Sequence, residues 1–274
     1  MRISSTLDGR IIIEHNNSYF DASDFAQAIS VNWPLPKSDP FMQIWPKLSA
    51  LSNQEIENLP KADFDKNELR NPIRSPNKIL GAMANYLQAD GTVGEKSIRQ
   101  YGFFPKANSS MTSPAEGIVK HPAMETLHEP ELSFIIGDTL KNADEKSAAQ
   151  AITAVCGSLD MTGRGDWLWS HRKSVDSYGV FDVWLTPMSR FGHARDLDDL
   201  DITLYVNGEV RQSGTTAKLI WKPVDLVMEA SKYFTLYPGD IIMAGTPAGL
   251  GPVEPGDTVK MTLERIANFE VFVR

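Results

Sequence analysis

The clearest pattern along the chain is a series of short apolar or β-branched runs bounded by turn-forming residues, which predicts strands. Such runs cover residues 10–15, with Ile11, Ile12 and Ile13, then 79–83, 131–137, 151–159, 202–206, 240–244 and 258–263. Asn207-Gly208 lies between Leu204-Tyr205-Val206 and Glu209-Val210-Arg211, the strongest hairpin signal present, because the favoured two-residue turn needs positive φ at both central positions. Pro238-Gly239-Asp240 and Pro255-Gly256-Asp257 mark two more turns, each followed by a strand-like run. Helical spacing is convincing in two places. One covers residues 143–150; the other starts near Pro223, a good first-turn residue, and places Val224, Val227, Ala230 and Phe234 on one face. Ser52 and Glu55 have capping-box spacing and predict a brief helix. Many strands, few helices and no βαβ alternation predict a β-rich α+β protein.

Residues 58–78 crowd Pro60, Asp63, Asp65, Asn67, Asn71, Pro72 and Pro76 together with few apolar side chains, which predicts a loop or linker after a small N-terminal region. The length of 274 residues suits one large domain or a core with an appendage. With 27 Lys+Arg against 35 Asp+Glu the net charge is −8, which argues against a nucleic-acid partner. Cys156 is the only cysteine, so no intramolecular disulfide exists and a reducing compartment is expected. No apolar run approaches the roughly 18 residues that span a bilayer, and Met1 to Arg10 lack an apolar signal core. These features predict a cytoplasmic protein without a membrane partner.

Four segments could carry chemistry. In Glu129-Pro130-Glu131 the two carboxylates share one side of a strand, and a hard divalent cation would resolve their repulsion; a solvated strand face is the alternative. Asp160 ends an apolar run and is followed by Thr162-Gly163-Arg164-Gly165, which fits either a metal ligand with an anion contact or a plain turn. Lys173 lies in a stretch of little apolar character, where a solvated charge is the ordinary case. Gly245-Thr246-Pro247-Ala248-Gly249 follows a strand, and its N–H groups with the Thr246 hydroxyl could hold a carboxylate.

Together with their neighbours these segments resemble the fumarylacetoacetate hydrolase superfamily over residues 72–274. The ordered motifs are KILGAMANY (78–86), FPKANSS (104–110), HEPELSFIIG (128–137), LDMTGR (159–164), KSVDS (173–177), VNGEVRQSGTT (206–216) and YPGDIIMAGTPAGLG (237–251). The resemblance implies a mixed β-roll catalytic domain over 72–274 behind a small N-terminal subdomain and linker at 1–71. It also implies Mg²⁺, or Mn²⁺ or Ca²⁺, bound by Glu129, Glu131 and Asp160, with Lys173 at the oxo or enolate oxygen of a small 2-oxo acid. Thr246 and Gly245 would hold a substrate carboxylate, with Arg164 and Gln212 around the pocket, in a protein expected to be a homodimer. The implied reactions are C–C hydrolysis of an acylpyruvate or β-diketo acid, decarboxylation, or isomerisation and tautomerisation; a degenerate metal-binding homologue is the third class. All the reactions pass through an enolate that a cation can stabilise.

The sequence departs from the family at the lid. Ala89 stands where many members carry a histidine, and none of the five histidines, His15, His121, His128, His171 and His193, lies between Gly81 and Lys120. Residues 87–100 are expected to form a mobile lid, with Glu95 either the substitute base or a solvated loop charge. His171 is the next candidate, and His128 is expected to orient a ligand from behind. Trp167 and Trp169 border the region that would meet the distal part of the substrate.

Overall fold

The computed structural model describes residues 1–274. Its centre is an eight-stranded mixed sheet. The path runs through Phe103–Lys106, Ile79–Ala82, Ile241–Met243, Pro130–Ile136, Ile152–Asp160, Gly179–Phe181 and Met111–Thr112, with Thr186–Pro187 also paired to Ile152–Asp160. Only the pairs Ile79–Ala82 with Ile241–Met243 and Gly179–Phe181 with Met111–Thr112 are parallel. The two edge strands of this path are joined by residues 107–110 alone. That connection spans no more than about 17 Å, so the sheet curls until its edges approach each other.

Both faces of the central strands are covered, which is why they read as continuous apolar runs. Leu132, Phe134 and Ile136 pack into the larger core with Val155 and Leu159. Ile135, Ala154 and Cys156 face the other way, against Ile3, Ile11, Ile13, Phe41 and Trp45 of the N-terminal region. That region contributes an antiparallel sheet in the order Ser18–Asp21, Ile11–His15, Arg2–Thr6, Leu69–Arg70. Its hairpin turns at Asn16 and Asn17, both with positive φ, as a two-residue turn requires. The expected linker is therefore partly structured. Leu69–Arg70 pairs with Ser5 and Thr6, and the Asn71 amide donates to the Asp182 carbonyl at 2.8 Å. Backbone pairing builds this two-residue strand, so hydrophobic periodicity carries no sign of it.

The larger core is closed by a second antiparallel sheet, ordered Glu209–Thr215, Asp201–Val206, Thr258–Leu263, Ala267–Phe272. Burial alternates along Thr258–Leu263 and Ala267–Phe272, as expected for one packed and one solvated face. Helices Glu145–Ala151 and Pro223–Tyr233 form where the spacing predicts them, the second burying Val224, Val227 and Ala230. The Ser52–Glu55 capping box is present. Helices at Trp45–Ser49, Ile98–Tyr101 and Trp169–Lys173 were not anticipated; each has four or five residues, too few for a periodic pattern. No helix is long and apolar enough to cross a membrane.

Candidate active site

Strand directions bring the chemistry-bearing residues to one end of the central sheet. Pro130–Ile136 and Ile152–Asp160 are antiparallel, with Glu131 opposite Ser158 and Pro130 opposite Leu159. The start of one strand and the end of the other therefore coincide. Ile241–Met243 is antiparallel to Pro130–Ile136, so Ala244, Gly245 and Thr246 emerge at the same place. Pro130 is the first residue of its strand, where a missing N–H costs no ladder hydrogen bond.

Carboxylate oxygens of Glu129, Glu131 and Asp160 lie within 4.8 Å of one another. Asp160 is fully buried; Oδ1 accepts from Lys106 Nζ at 2.7 Å and Oδ2 from Lys173 Nζ at 2.5 Å. Lys173 Nζ also donates to Glu129 Oε2 at 2.9 Å, and Thr162 Oγ1 donates to Glu129 Oε1 at 2.7 Å. Glu131 is buried, with a single hydrogen bond, from the Gly245 N–H at 2.7 Å. Gly245 has φ +98°, and a Cβ there would sit 3.1 Å from that of Asn85 and 3.3 Å from the Ala82 carbonyl, so glycine alone aims the N–H without strain.

The charge states follow from this packing. Burial and then the Asp160 charge push the Glu131 carboxyl well above the usual carboxylate range. Burial acts on Asp160 in the same direction, but Lys106 and Lys173 outweigh it and hold Asp160 below that range. Burial alone would lower the Lys173 pKa; Asp160, Glu129 and Glu131 together raise it, so Lys173 stays an ammonium. Burial lowers the Lys106 pKa against the pull of Asp160, so three carboxyl groups pack around two lysines, and Glu131 has no lysine of its own. An all-oxygen, hard donor set in which crowding and burial disfavour the charge of Glu131 fits a divalent cation such as Mg²⁺ or Mn²⁺, which would favour it.

These residues end a cavity of about 330 Å³. Thr246 lines it, and its hydroxyl accepts from Gln212 Nε2 at 3.0 Å. Gln212 donates also to the Pro247 carbonyl at 2.7 Å, so its oxygen must accept from His128 Nδ1 at 2.6 Å, which fixes the histidine tautomer. Burial lowers the His128 pKa and keeps the ring neutral. The Tyr86 hydroxyl lines the cavity too; burial and then the Glu131 charge raise its pKa, so it remains a donor.

Several expected residues stand elsewhere. Arg164 is exposed and pairs with Glu125 at 2.7 Å, directly across two strands, as opposite charges on a solvated sheet edge do. Gln212 lies behind Thr246 and away from the cavity, whereas Gly245 does line it, with its N–H taken by Glu131. His171 is exposed and stacks on Trp167, while Trp169 lines the cavity. Glu95 is exposed on the 87–97 loop and does not line the cavity. The residue that sequence reasoning missed is Lys106, inside the quoted FPKANSS run, which also donates to the Lys173 carbonyl.

A curled β-roll with a buried oxygen-donor cluster and an ammonium at the base of a small cavity is the apparatus of a metal-dependent enzyme for small organic acids. The model of the fumarylacetoacetate (FAA) hydrolase C-terminal domain matches residues 78–274, and the chain belongs to the fumarylacetoacetate hydrolase family. It is similar to maleylpyruvate hydrolase of Aquipseudomonas alcaligenes, at 33% identity over 100% of this chain and 99% of that protein. It is 30% identical to a mitochondrial oxaloacetate decarboxylase of Dictyostelium discoideum, over 72% of this chain and 94% of that protein. The crystal structure of maleylpyruvate hydrolase from Sphingobium sp. SYK-6, in complex with manganese(II) and pyruvate, matches with a TM-score of 0.84 and 27% identity, covering 100% of this chain and 98% of that one.

Proposed function

We propose that this enzyme hydrolyses the C–C bond between C3 and C4 of a small acylpyruvate, giving pyruvate and a carboxylic acid, with Mg²⁺ or Mn²⁺ held by Glu129, Glu131 and Asp160. The carrying observation is the buried three-carboxylate cluster beside the Lys173 ammonium, at the base of a cavity of about 330 Å³. When bound, the cation would act as a Lewis acid toward the carboxylate and 2-oxo oxygens of the substrate. Lys173, kept protonated by the carboxylates around it, stabilises negative charge as it grows on the 2-oxo oxygen while C3 departs as an enolate. Thr246, positioned by Gln212, binds the C1 carboxylate, and the Tyr86 hydroxyl offers a proton-bearing donor to the C4 oxygen. Water adds to C4, and C3 takes up a proton.

The base that activates water is Glu95, delivered by closure of the 87–100 segment over the mouth; such closure also excludes bulk water. A second reading is supported by a specific feature. No histidine lines the cavity, so decarboxylation or tautomerisation of a 2-oxo acid, which needs enolate stabilisation without an activated water, uses the same residues. Product analysis with acetylpyruvate and with oxaloacetate in the presence of Mg²⁺ or Mn²⁺ separates the two. Equimolar pyruvate and acetate support hydrolysis; CO₂ or a shifted keto–enol ratio from oxaloacetate alone supports the second. We further propose a cytoplasmic homodimer. Trp33 at 88%, Leu35 at 64% and Leu168 at 81% exposure are large apolar side chains that association would cover, and light scattering should return twice the mass of one chain.

A further inference from the structure

We propose that the acyl group taken by this cavity, at the end opposite the 2-oxo acid, is uncharged and apolar, and that the enzyme rejects acylpyruvates bearing a second carboxylate there. This rests on the reading of the site as one for acylpyruvates and adds the class of acyl group. The cavity is electrically lopsided. All its charged lining residues, Glu129, Glu131, Asp160 and Lys173, belong to the carboxylate cluster. Beyond them the wall includes Met83, Leu87, Tyr101, Phe104, Trp169 and Leu250, with Gln88 polar but uncharged among them. Lys173 is the only cation lining the cavity, and both of its carboxylate partners lie within 3 Å.

Lys96 and Arg99, on the segment before Tyr101, do not line the cavity, and two further cations near this wall are engaged outside it. Arg164 is paired with Glu125. The Arg172 guanidinium lies 4.3 Å from the centre of the Trp169 ring, and its Nε donates to the Gly163 carbonyl at 2.5 Å. Trp169 is therefore braced as a flat apolar wall, with the cation spent on holding it. A distal carboxylate entering here would lose hydration and gain no counter-charge, whereas an alkyl or aryl group would gain apolar burial. An apolar pocket rejects an isostere that adds a hydroxyl by about 100-fold, and a carboxylate costs more to desolvate than a hydroxyl. With Tyr101 at 45% and Trp169 at 43% exposure the mouth is partly wet, so the expected factor is at least about 100.

Two measurements test this. Calorimetry on Mn²⁺-loaded protein would compare 2-oxohexanoate with 2-oxoadipate, acids of equal chain length that differ only in a terminal carboxylate. Steady-state release of pyruvate would compare pentanoylpyruvate with maleylpyruvate. The expected result is at least about 100-fold tighter binding and higher kcat/KM for the apolar member of each pair, with Leu250→Arg, at a half-exposed rim position, narrowing the gap at least tenfold. Equal or better handling of the carboxylated members overturns the proposal and leaves the hydrolase reading intact. Tight binding of 2-oxohexanoate alone, with no pyruvate from either substrate, sustains the proposal and removes the hydrolase reading.

Discussion

Replacing Glu131 by glutamine should raise the stability of the metal-free protein while removing its response to metal. Glu131 is buried, has one hydrogen bond from the Gly245 N–H and no cation of its own, and lies within 4.8 Å of two other carboxylates. Burial and the Asp160 charge disfavour the ionised form of Glu131, and glutamine keeps an acceptor for Gly245 while replacing that carboxyl with a permanently neutral amide that can donate to Asp160. Relieving a functional site of this kind is worth about 1–2 kcal/mol. At about 2–4 °C per kcal/mol for a large domain, that is a rise in Tm of about 2–8 °C. Mn²⁺ at about 100 times its Kd should stabilise the wild type by about 2.7 kcal/mol and Glu131→Gln by much less, so the order of the two proteins reverses on adding metal. Scanning calorimetry with and without Mn²⁺ reads this crossing. A metal-free variant that melts below the metal-free wild type, or equal stabilisation of both by Mn²⁺, would refute the reasoning.

Lys106→Met should destabilise the metal-free protein by about 3 kcal/mol, because it leaves the buried Asp160 charge with Lys173 as its remaining partner; a denaturant melt matching the wild type would show that Lys106 does not anchor Asp160. Burial pushes the Asp182 carboxyl up to about 7, and its Oδ2 has no hydrogen-bond partner. The folded state therefore holds an extra proton between about pH 4 and 7, and wild-type stability falls across that window as pH rises. Asp182→Asn should gain on the wild type by about 1–3 kcal/mol between pH 4 and 8, and a difference independent of pH contradicts this. Glu95→Gln should lower kcat at least about 10-fold with Mn²⁺ affinity intact; an unchanged kcat would move the base elsewhere.

What the sequence disclosed, and what it hid, divides along the range of the interactions. The central strands were legible because both faces are buried, which leaves uninterrupted apolar runs such as 131–137 and 151–159. Asn207-Gly208 and the Ser52–Glu55 box were legible because turn and cap chemistry is local: Asn207 and Gly208 both have positive φ, and Ser52 accepts from the Glu55 N–H. Lys106 was not, since a lysine by default reads as solvated and the carboxylate that buries it is 54 residues away. Arg164 and Gln212 were placed by motif at the pocket, yet their partners come from Glu125 across a strand pair and from Thr246 34 residues on. The short Trp169–Lys173 helix, which sets the position of Lys173, has too few residues for any period to emerge. Residue types at the site were thus readable, whereas their orientation depended on contacts between distant segments.

The most direct test of the central claim is a reaction of acetylpyruvate in ¹⁸O-labelled water, followed by mass spectrometry of the products with Mn²⁺ present and after chelation. Metal-dependent hydrolysis at C4 predicts equimolar pyruvate and acetate, one ¹⁸O atom in the acetate carboxyl group, and loss of both products on chelation with recovery when Mn²⁺ is restored. Undiminished turnover in chelator, or acetylpyruvate left intact by the metal-loaded enzyme, would contradict it.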